Sequence, residues 1–250
     1  MKFCSAAVCG PGRVRQENQD NLYLNGKIRK TPLCSLQAQK RGRMLAAVAD
    51  GMGGETHGDL ASLAVVRLLQ LRRPKSVQAL LEAAQAANGK ICRLMQTHQS
   101  RSGSTLAALL LREDSAAVVN LGDSRCYRLR GGTLTRLSRD HSVVQQMIDL
   151  EILTPEQART HRSRHKLTQH LGIFPDEMLL EPHVAEVPLE AGDRFLLCSD
   201  GLTDEVEDGE LERLLGMGPV EQAAKALFDL AMERGGRDNI TVLVVEAARS

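Results

Sequence analysis

Three apolar runs in this 250-residue chain each meet an aspartate at a glycine-relaxed end. Met44 to Asp50 leads into Gly51-Met52-Gly53-Gly54. Arg194 to Ser199 leads into Asp200-Gly201. Gly235-Gly236-Arg237-Asp238-Asn239 comes just before the run Ile240 to Val245. Short apolar runs bounded by turn signals read as buried strands. A buried strand holds its end rigidly, and glycine there lets a carbonyl or a water approach closely. Carboxylate oxygens on rigid ends, with room for water, are what Mg²⁺ and Mn²⁺ take as ligands. One Asp-Gly pair alone would read as an ordinary turn. Three acid-tipped ends point instead to a hard-metal hydrolase.

The remaining segments constrain the architecture. Strands are expected at Phe3 to Val8, Asn21 to Leu24, Ser104 to Leu111, Ala116 to Leu121, Arg125 to Leu129, Thr133 to Leu137 and Leu180 to Val187. The spacing of Leu60, Leu63, Ala64, Leu68 and Leu71 predicts a helix over about 59–71. Further helices are expected from Ser76 to Gln96, Asp208 to Leu215 and Val220 to Glu233. Strands grouped at both ends and in the middle, with helix pairs between them, do not give βαβ alternation. A mainly antiparallel α+β system fits better. Residues 142–172 are polar and basic, with a helix start at Thr154-Pro155-Glu156, and read as a flap inserted in a single domain over 1–250.

Composition excludes other roles. A formal net charge of +1 gives no electrostatic footprint for nucleic acid. Four Phe, two Tyr and no Trp leave few platforms for stacking bases. No apolar run approaches the roughly 18 residues of a membrane span. The opening residues read as a first strand rather than a secretion signal. The six scattered cysteines form no Cys-x-x-Cys pair, and reduced thiols in the cytoplasm are expected.

Other constellations surround the three stations. Asp204 lies one helical turn after Asp200, so both acids would share a face, although a solvated charge or helix cap reads equally well. Asp123, in Gly122-Asp123-Ser124-Arg125, is either a metal ligand or a turn former. Ser124 lacks the second glycine of an esterase elbow, since position 126 is Cys. Arg15 offers a fork that matches two phosphate oxygens. Cys9 and Arg15 have the Cys-x5-Arg spacing of cysteine-dependent phosphatases, but Pro11 removes a donor and no helix-forming segment follows.

These pieces, in this order, resemble the protein phosphatase 2C-like, metal-dependent Ser/Thr phosphatases of compact bacterial type. The matching elements are Arg15 with Asn18-Gln19-Asp20, the Asp50 station, Gly58 with Ala61-Ser62, Gly103-Ser104-Thr105 and Gly122-Asp123-Ser124-Arg125. Leu167-Thr168-Gln169-His170-Leu171-Gly172, Ser199-Asp200-Gly201-Leu202 and Asp238-Asn239-Ile240-Thr241 complete them. The resemblance implies a four-layer αββα sandwich: two packed antiparallel sheets flanked by pairs of antiparallel helices. It implies two Mn²⁺ or Mg²⁺ ions, with Asp50 bridging them, the Gly51 carbonyl on one, and Asp200 and Asp238 on the other. Asp20 would act through water, and Arg15 would bind the substrate phosphate. Asp123, Asp200 and Asp204 match a third metal site. Phosphoserine and phosphothreonine would be hydrolysed through a metal-bridging hydroxide, in opposition to a Ser/Thr kinase, by a cytoplasmic monomer with phosphoprotein partners and neither nucleic-acid nor membrane partners.

The chain departs from the family pattern at three points. Gln19 stands where Glu is usual, Ser104 replaces a Thr, and Met52 stands where eukaryotic relatives carry a His proposed as general acid. A metal-bound water or a flap histidine, His161 or His165, would then supply the leaving-group proton, although both histidines also read as surface residues. Gln19 leaves open a phosphoprotein-binding protein without turnover.

Overall fold

The computed structural model describes residues 1–53 and 57–249; Gly54, the last residue of the Asp50 station, lies outside them. The chain begins with β1 (Lys2–Gly10), β2 (Asn21–Leu24), β3 (Lys27–Ile28), β4 (Cys34–Arg41), β5 (Met44–Ala49) and β6 (Gly51–Met52). The helices α1 (Gly58–Arg72) and α2 (Val77–His98) follow. Next come β7 (Gly103–Ser104), β8 (Leu106–Leu111), β9 (Ser115–Leu121), β10 (Arg125–Arg130) and β11 (Thr133–Arg136). The flap carries α3 (Val143–Asp149) and α4 (Pro155–Thr160) and leads to β12 (His183–Pro188) and β13 (Arg194–Cys198). The chain closes with α5 (Asp200–Thr203), α6 (Asp208–Leu215), α7 (Val220–Glu233) and β14 (Ile240–Ala248).

The strands form two six-stranded sheets, in the orders β11-β10-β13-β14-β1-β4 and β12-β9-β8-β5-β2-β3, with β6 and β7 as a small separate pair. All of these pairings are antiparallel. The two-residue period of a strand sends alternate side chains to opposite faces. Phe195, Leu197, Leu243 and Val245 point inward and meet Leu22, Val48, Leu109 and Val118 of the facing sheet. Their neighbours Leu196, Val242 and Val244 point outward onto Leu211, Leu215, Leu227 and Phe228 of α6 and α7. On the far side, Leu45, Ala47, Leu110 and Val119 pack against Val65, Leu69, Leu80 and Ile91 of α1 and α2. The layers are therefore αββα. Central strands are covered on both faces, so β5 and β8 are unbroken apolar runs in which every residue is buried. Each large side chain buried this way contributes about 1.5–3 kcal/mol.

Three differences from the sequence reading have physical causes. β4 carries no apolar run. It is an edge strand with one face covered, and its exposed positions include Ser35, Gln37 and Gln39. The expected strand from Ser104 to Leu111 is interrupted at Thr105, whose backbone N–H turns to the Asp50 carbonyl at 2.8 Å. The end of the flap belongs to the body of the protein. Leu171 exchanges backbone bonds with Ser104 (2.8 and 2.9 Å), and the Gly172 N–H reaches Asn88 Oδ1 at 2.6 Å. The helix start at Thr154 carries a capping box closed by Gln157.

Candidate metal centre

The strand ends gather the acids at one edge of the sandwich. Asp20 immediately precedes β2 and is fully buried. Its Oδ2 accepts hydrogen bonds from Ser199 Oγ and Thr241 Oγ1, both at 2.7 Å. Ser199 directly follows β13, and Thr241 lies near the start of β14. The acid is thus clamped by the ends of two strands from the opposite sheet. Its other oxygen, Oδ1, is buried without a hydrogen-bond partner. Burial pushes this carboxyl up to about 7 against those two hydroxyls, and the charges of Asp200 and Asp238 push the same way.

Asp50 follows β5. Its N–H donates to Thr105 Oγ1 at 2.9 Å, and that hydroxyl lies 2.6 Å from Ser124 Oγ. Ser124 is fully buried, so it serves as a strut and not as a nucleophile. Burial raises the Asp50 carboxyl well above its ordinary value, and Asp20, Asp200, Asp123 and Asp238 add to the rise. Gly51 sits in a cradle where a Cβ would lie 2.1 Å from the Gly58 carbonyl and 2.6 Å from the Gln19 carbonyl.

Asp200 opens α5. Burial pushes its carboxyl up, but the hydrogen bond and charge of His165, with a hydrogen bond to Asp50, outweigh this and hold it below its ordinary value. The short α5 turns Asp204 to the same side, as its spacing predicted. His165 lies between the two, with Nδ1 3.5 Å from Asp200 Oδ2 and Nε2 3.5 Å from Asp204 Oδ2. Asp123 stands close by. Its carboxyl is raised by burial and then by Asp200 and Asp140. Asp238 receives Arg15 Nη2 at 2.8 Å and caps its neighbour's backbone, accepting from Asn239 N–H at 2.8 Å.

All the acids singled out in the sequence therefore converge, together with Arg15. A cleft of roughly 1040 Å³ opens beside them, lined by Arg15, Asp123, His165, Asp200, Asp204 and Asp238, with Asp20 and Asp50 outside its lining. His161 is turned to local use, its Nδ1 accepting from Ser163 N–H at 3.2 Å. Cys9 does not behave as a phosphatase nucleophile. It is fully buried within β1, and burial raises its thiol well above the usual range. A thiolate poised for attack needs the opposite conditions.

The donor set suits hard divalent cations. Asp20, Asp50 and Asp123 all sit above their ordinary values because negative charge is crowded where water is scarce. A divalent cation would offset that crowding, and Asp20 Oδ1 is a buried acceptor without a partner.

Sequence reasoning missed the residues that hold this arrangement. The Asn239 side chain donates to the Pro11 and Glu17 carbonyls (3.1 and 2.8 Å) and accepts from Gln19 N–H (2.7 Å), tying the N-terminal loop to the third station. Ser199, Thr241 and Asn239 all lie inside the matched motifs, but their partners are set by strand register.

The chain matches the protein phosphatase 2C family over residues 33–241. Serine/threonine protein phosphatase PstP of Mycobacterium tuberculosis is 35% identical over 248 residues, which cover 96% of this chain and 44% of that protein, so the chain spans less than half of that relative. Serine/threonine phosphatase stp of Listeria welshimeri is 34% identical over 248 residues, covering 94% of this chain and 92% of that protein. A solved structure of the catalytic domain of PstP in complex with two manganese ions is similar at TM-score 0.82 and 31% identity, covering 100% of both chains. With the layered fold and the ordered acids already in view, these similarities place the chain in the protein phosphatase 2C family.

Proposed function

We propose that this chain is a metal-dependent protein serine/threonine phosphatase. The observation that carries the proposal is the convergence of Asp20, Asp50, Asp200 and Asp238 beside the Arg15 guanidinium. Asp50, the Gly51 carbonyl, Asp200 and Asp238 would hold two ions, Mn²⁺ or Mg²⁺. Such ions, when bound, acidify water to near neutrality and offset phosphoryl charge. Asp20 would orient an ion-bound water through its unpartnered oxygen. Arg15, whose side chain is 58% exposed, presents its fork at the cleft mouth to a phosphate. Asp123 and Asp204, with Asp200, would take a third ion where His165 now lies.

In this reading the substrates are Ser/Thr-phosphorylated proteins of a bacterial kinase circuit, met by a monomer in the cytoplasm. The net charge of +1 supports the exclusion of nucleic-acid and anionic-membrane partners. No helix among the described residues is long and apolar enough to cross a membrane. The test is hydrolysis of a phosphothreonine peptide with Mn²⁺, abolished by a chelator. Full activity in chelator, with no metal in the protein, rules the proposal out. Gln19, uncharged where the family usually has an acid, favours a second reading as a binder without turnover. Tight phosphopeptide binding with no phosphate release would establish that reading.

A further inference from the structure

Cys9 and Cys34 are directly opposite each other in the antiparallel register of β1 and β4. Opposed residues in such a pair have Cα atoms about 4.5–5.5 Å apart, within the roughly 4.4–6.8 Å that a disulfide spans. Both side chains face the inter-sheet core, where Cys9 is buried and Cys34 is packed at its margin. Cys34 is partly exposed, on the edge strand of the sheet. Among the described residues, the other four cysteines have no cysteine opposite them in a strand pair.

Cys9 is also wired to the acid site. Its Sγ lies 3.1 Å from Thr241 Oγ1, the hydroxyl that sits 2.7 Å from Asp20 Oδ2. It also accepts from Asn18 Nδ2 at 3.2 Å, while Asn18 Oδ1 accepts from the Asp20 N–H at 3.0 Å. Asn18 Nδ2 further donates to the Pro32 carbonyl at 2.6 Å, two residues before Cys34. With the hydrogen bond between the two thiols, one small network joins them to the backbone and the carboxylate of Asp20.

We propose that Cys9 and Cys34 form a reversible disulfide under peroxide, a modification site that disables the acid cluster by loosening Asp20. The Cys34 thiolate attacks the peroxide O–O bond, which takes two electrons from sulfur. This gives a sulfenic acid, and the departing hydroxide leaves as water with one proton. The Cys9 thiol, held directly opposite by the strand register, then displaces the hydroxyl from that sulfur, its proton leaving with the hydroxyl as a second water, a step carried by proximity and not by an activated thiolate. Two thiols and one hydrogen peroxide yield one disulfide and two waters. Cys34 is suited to react first: the hydrogen bond from Cys9 lowers its thiol below the ordinary value, and Arg29 adds to this. Once crosslinked, the Cys9 sulfur is drawn toward Cys34 and away from Asn18 and Thr241.

The loss of turnover rests on the phosphatase reading, whereas the crosslink does not. The experiment treats the reduced protein with hydrogen peroxide, alkylates residual thiols and maps the peptides, with Mn²⁺-dependent turnover followed in parallel. A Cys9–Cys34 peptide is expected, together with a fall in turnover on the order of 10-fold, as for loss of support behind a metal site. A dithiol reductant should restore activity, and Cys34→Ser should keep its activity in peroxide. If Cys34 oxidises to sulfinic acid with no crosslink, or if crosslinked protein turns over at the reduced rate, the proposal is overturned. Should the reduced protein have no phosphatase activity, the peptide map and Mn²⁺ affinity of the two forms decide the matter. Crosslinking without a change in affinity then counts against it.

Discussion

Thr241 Oγ1 lies 2.7 Å from Asp20 Oδ2, although 221 residues separate them. Ser199 Oγ reaches the same oxygen from a different strand. Thr241 lies in β14 and Ser199 just beyond its neighbour β13, both in one sheet, while Asp20 leads into a strand of the other. The acid's position is therefore a direct readout of how the two sheets stack, and any change in that stacking is felt at the cluster.

Asp20→Asn tests this clamp. The amide oxygen can still accept from Ser199 and Thr241, so the fold should survive. The amide nitrogen would then sit where Oδ1 now lies buried without a partner, and the negative charge is lost. Mn²⁺ affinity is expected to fall on the order of 10–100-fold, as for other residues that support metal ligands. Titration calorimetry beside a circular dichroism melt checks both halves. Unchanged affinity in a folded variant would remove Asp20 from the site.

Arg15→Ala separates stability from function. The Arg15–Asp238 pair has side chains 58% and 40% exposed, and exposed pairs contribute about 0–1 kcal/mol. Urea midpoints should barely move. Catalytic efficiency on a phosphopeptide should drop on the order of 100-fold, since an interaction with phosphoryl charge costs roughly 2.7 kcal/mol or more to remove. Most of that loss should persist in Arg15→Lys, because an ammonium cannot make the two parallel bonds of the fork. A variant with wild-type efficiency would show that Arg15 serves Asp238 alone.

Asp50 and Asp200 were legible in the sequence because each follows a buried apolar run, and Asp238 because one starts just after it; such runs need no partner to be seen. The supporting groups were not. Thr241 looks like any strand threonine until β14 is laid beside β1, and Ser199 until β13 is laid beside β14. β4 escaped notice because an edge strand needs only one apolar face. His165 read as a surface residue, and it is half exposed. Only the fold of the flap brings it to Asp200 and Asp204. Local pattern reports burial, whereas pairing across long sequence separations depends on register.

The crowded carboxyls predict how pH and metal compete. Asp20 rises from 3.8 to about 7, and Asp50 is raised as well. Between those values the folded protein holds protons that the unfolded chain has released. Stability of the metal-free protein from this source is therefore greatest at low pH and is lost as pH rises toward 7. Metal must displace the same protons, so its affinity rises with pH. Melting curves in chelator and in Mn²⁺, at about pH 5.5 and about pH 7.5, should show a larger Mn²⁺ stabilisation at the higher pH, with proton release on binding. A Mn²⁺ shift that is larger at the lower pH contradicts this assignment.

Gly201→Ala tests whether close backbone approach builds the site. A Cβ at Gly201 would lie 2.1 Å from the Asn239 carbonyl oxygen. That segment cannot easily retreat, because the Asn239 side chain is anchored to Pro11, Glu17 and Gln19. Overpacking of this kind costs about 1–3 kcal/mol. The displacement falls between Asp200 and Asp238, the two acids expected to share an ion, so Mn²⁺ affinity should fall further than stability alone explains. Gly209→Ala is the control. Gly209 lies in the first turn of α6, where a Cβ meets nothing within 4 Å, and alanine there should be neutral or stabilising by about 0.5–1 kcal/mol. Comparing urea midpoints and Mn²⁺ titrations for the two variants separates a general glycine effect from the contact that holds the strand ends together. Equal behaviour of the two would show that the approach at Gly201 has no part in positioning the acids.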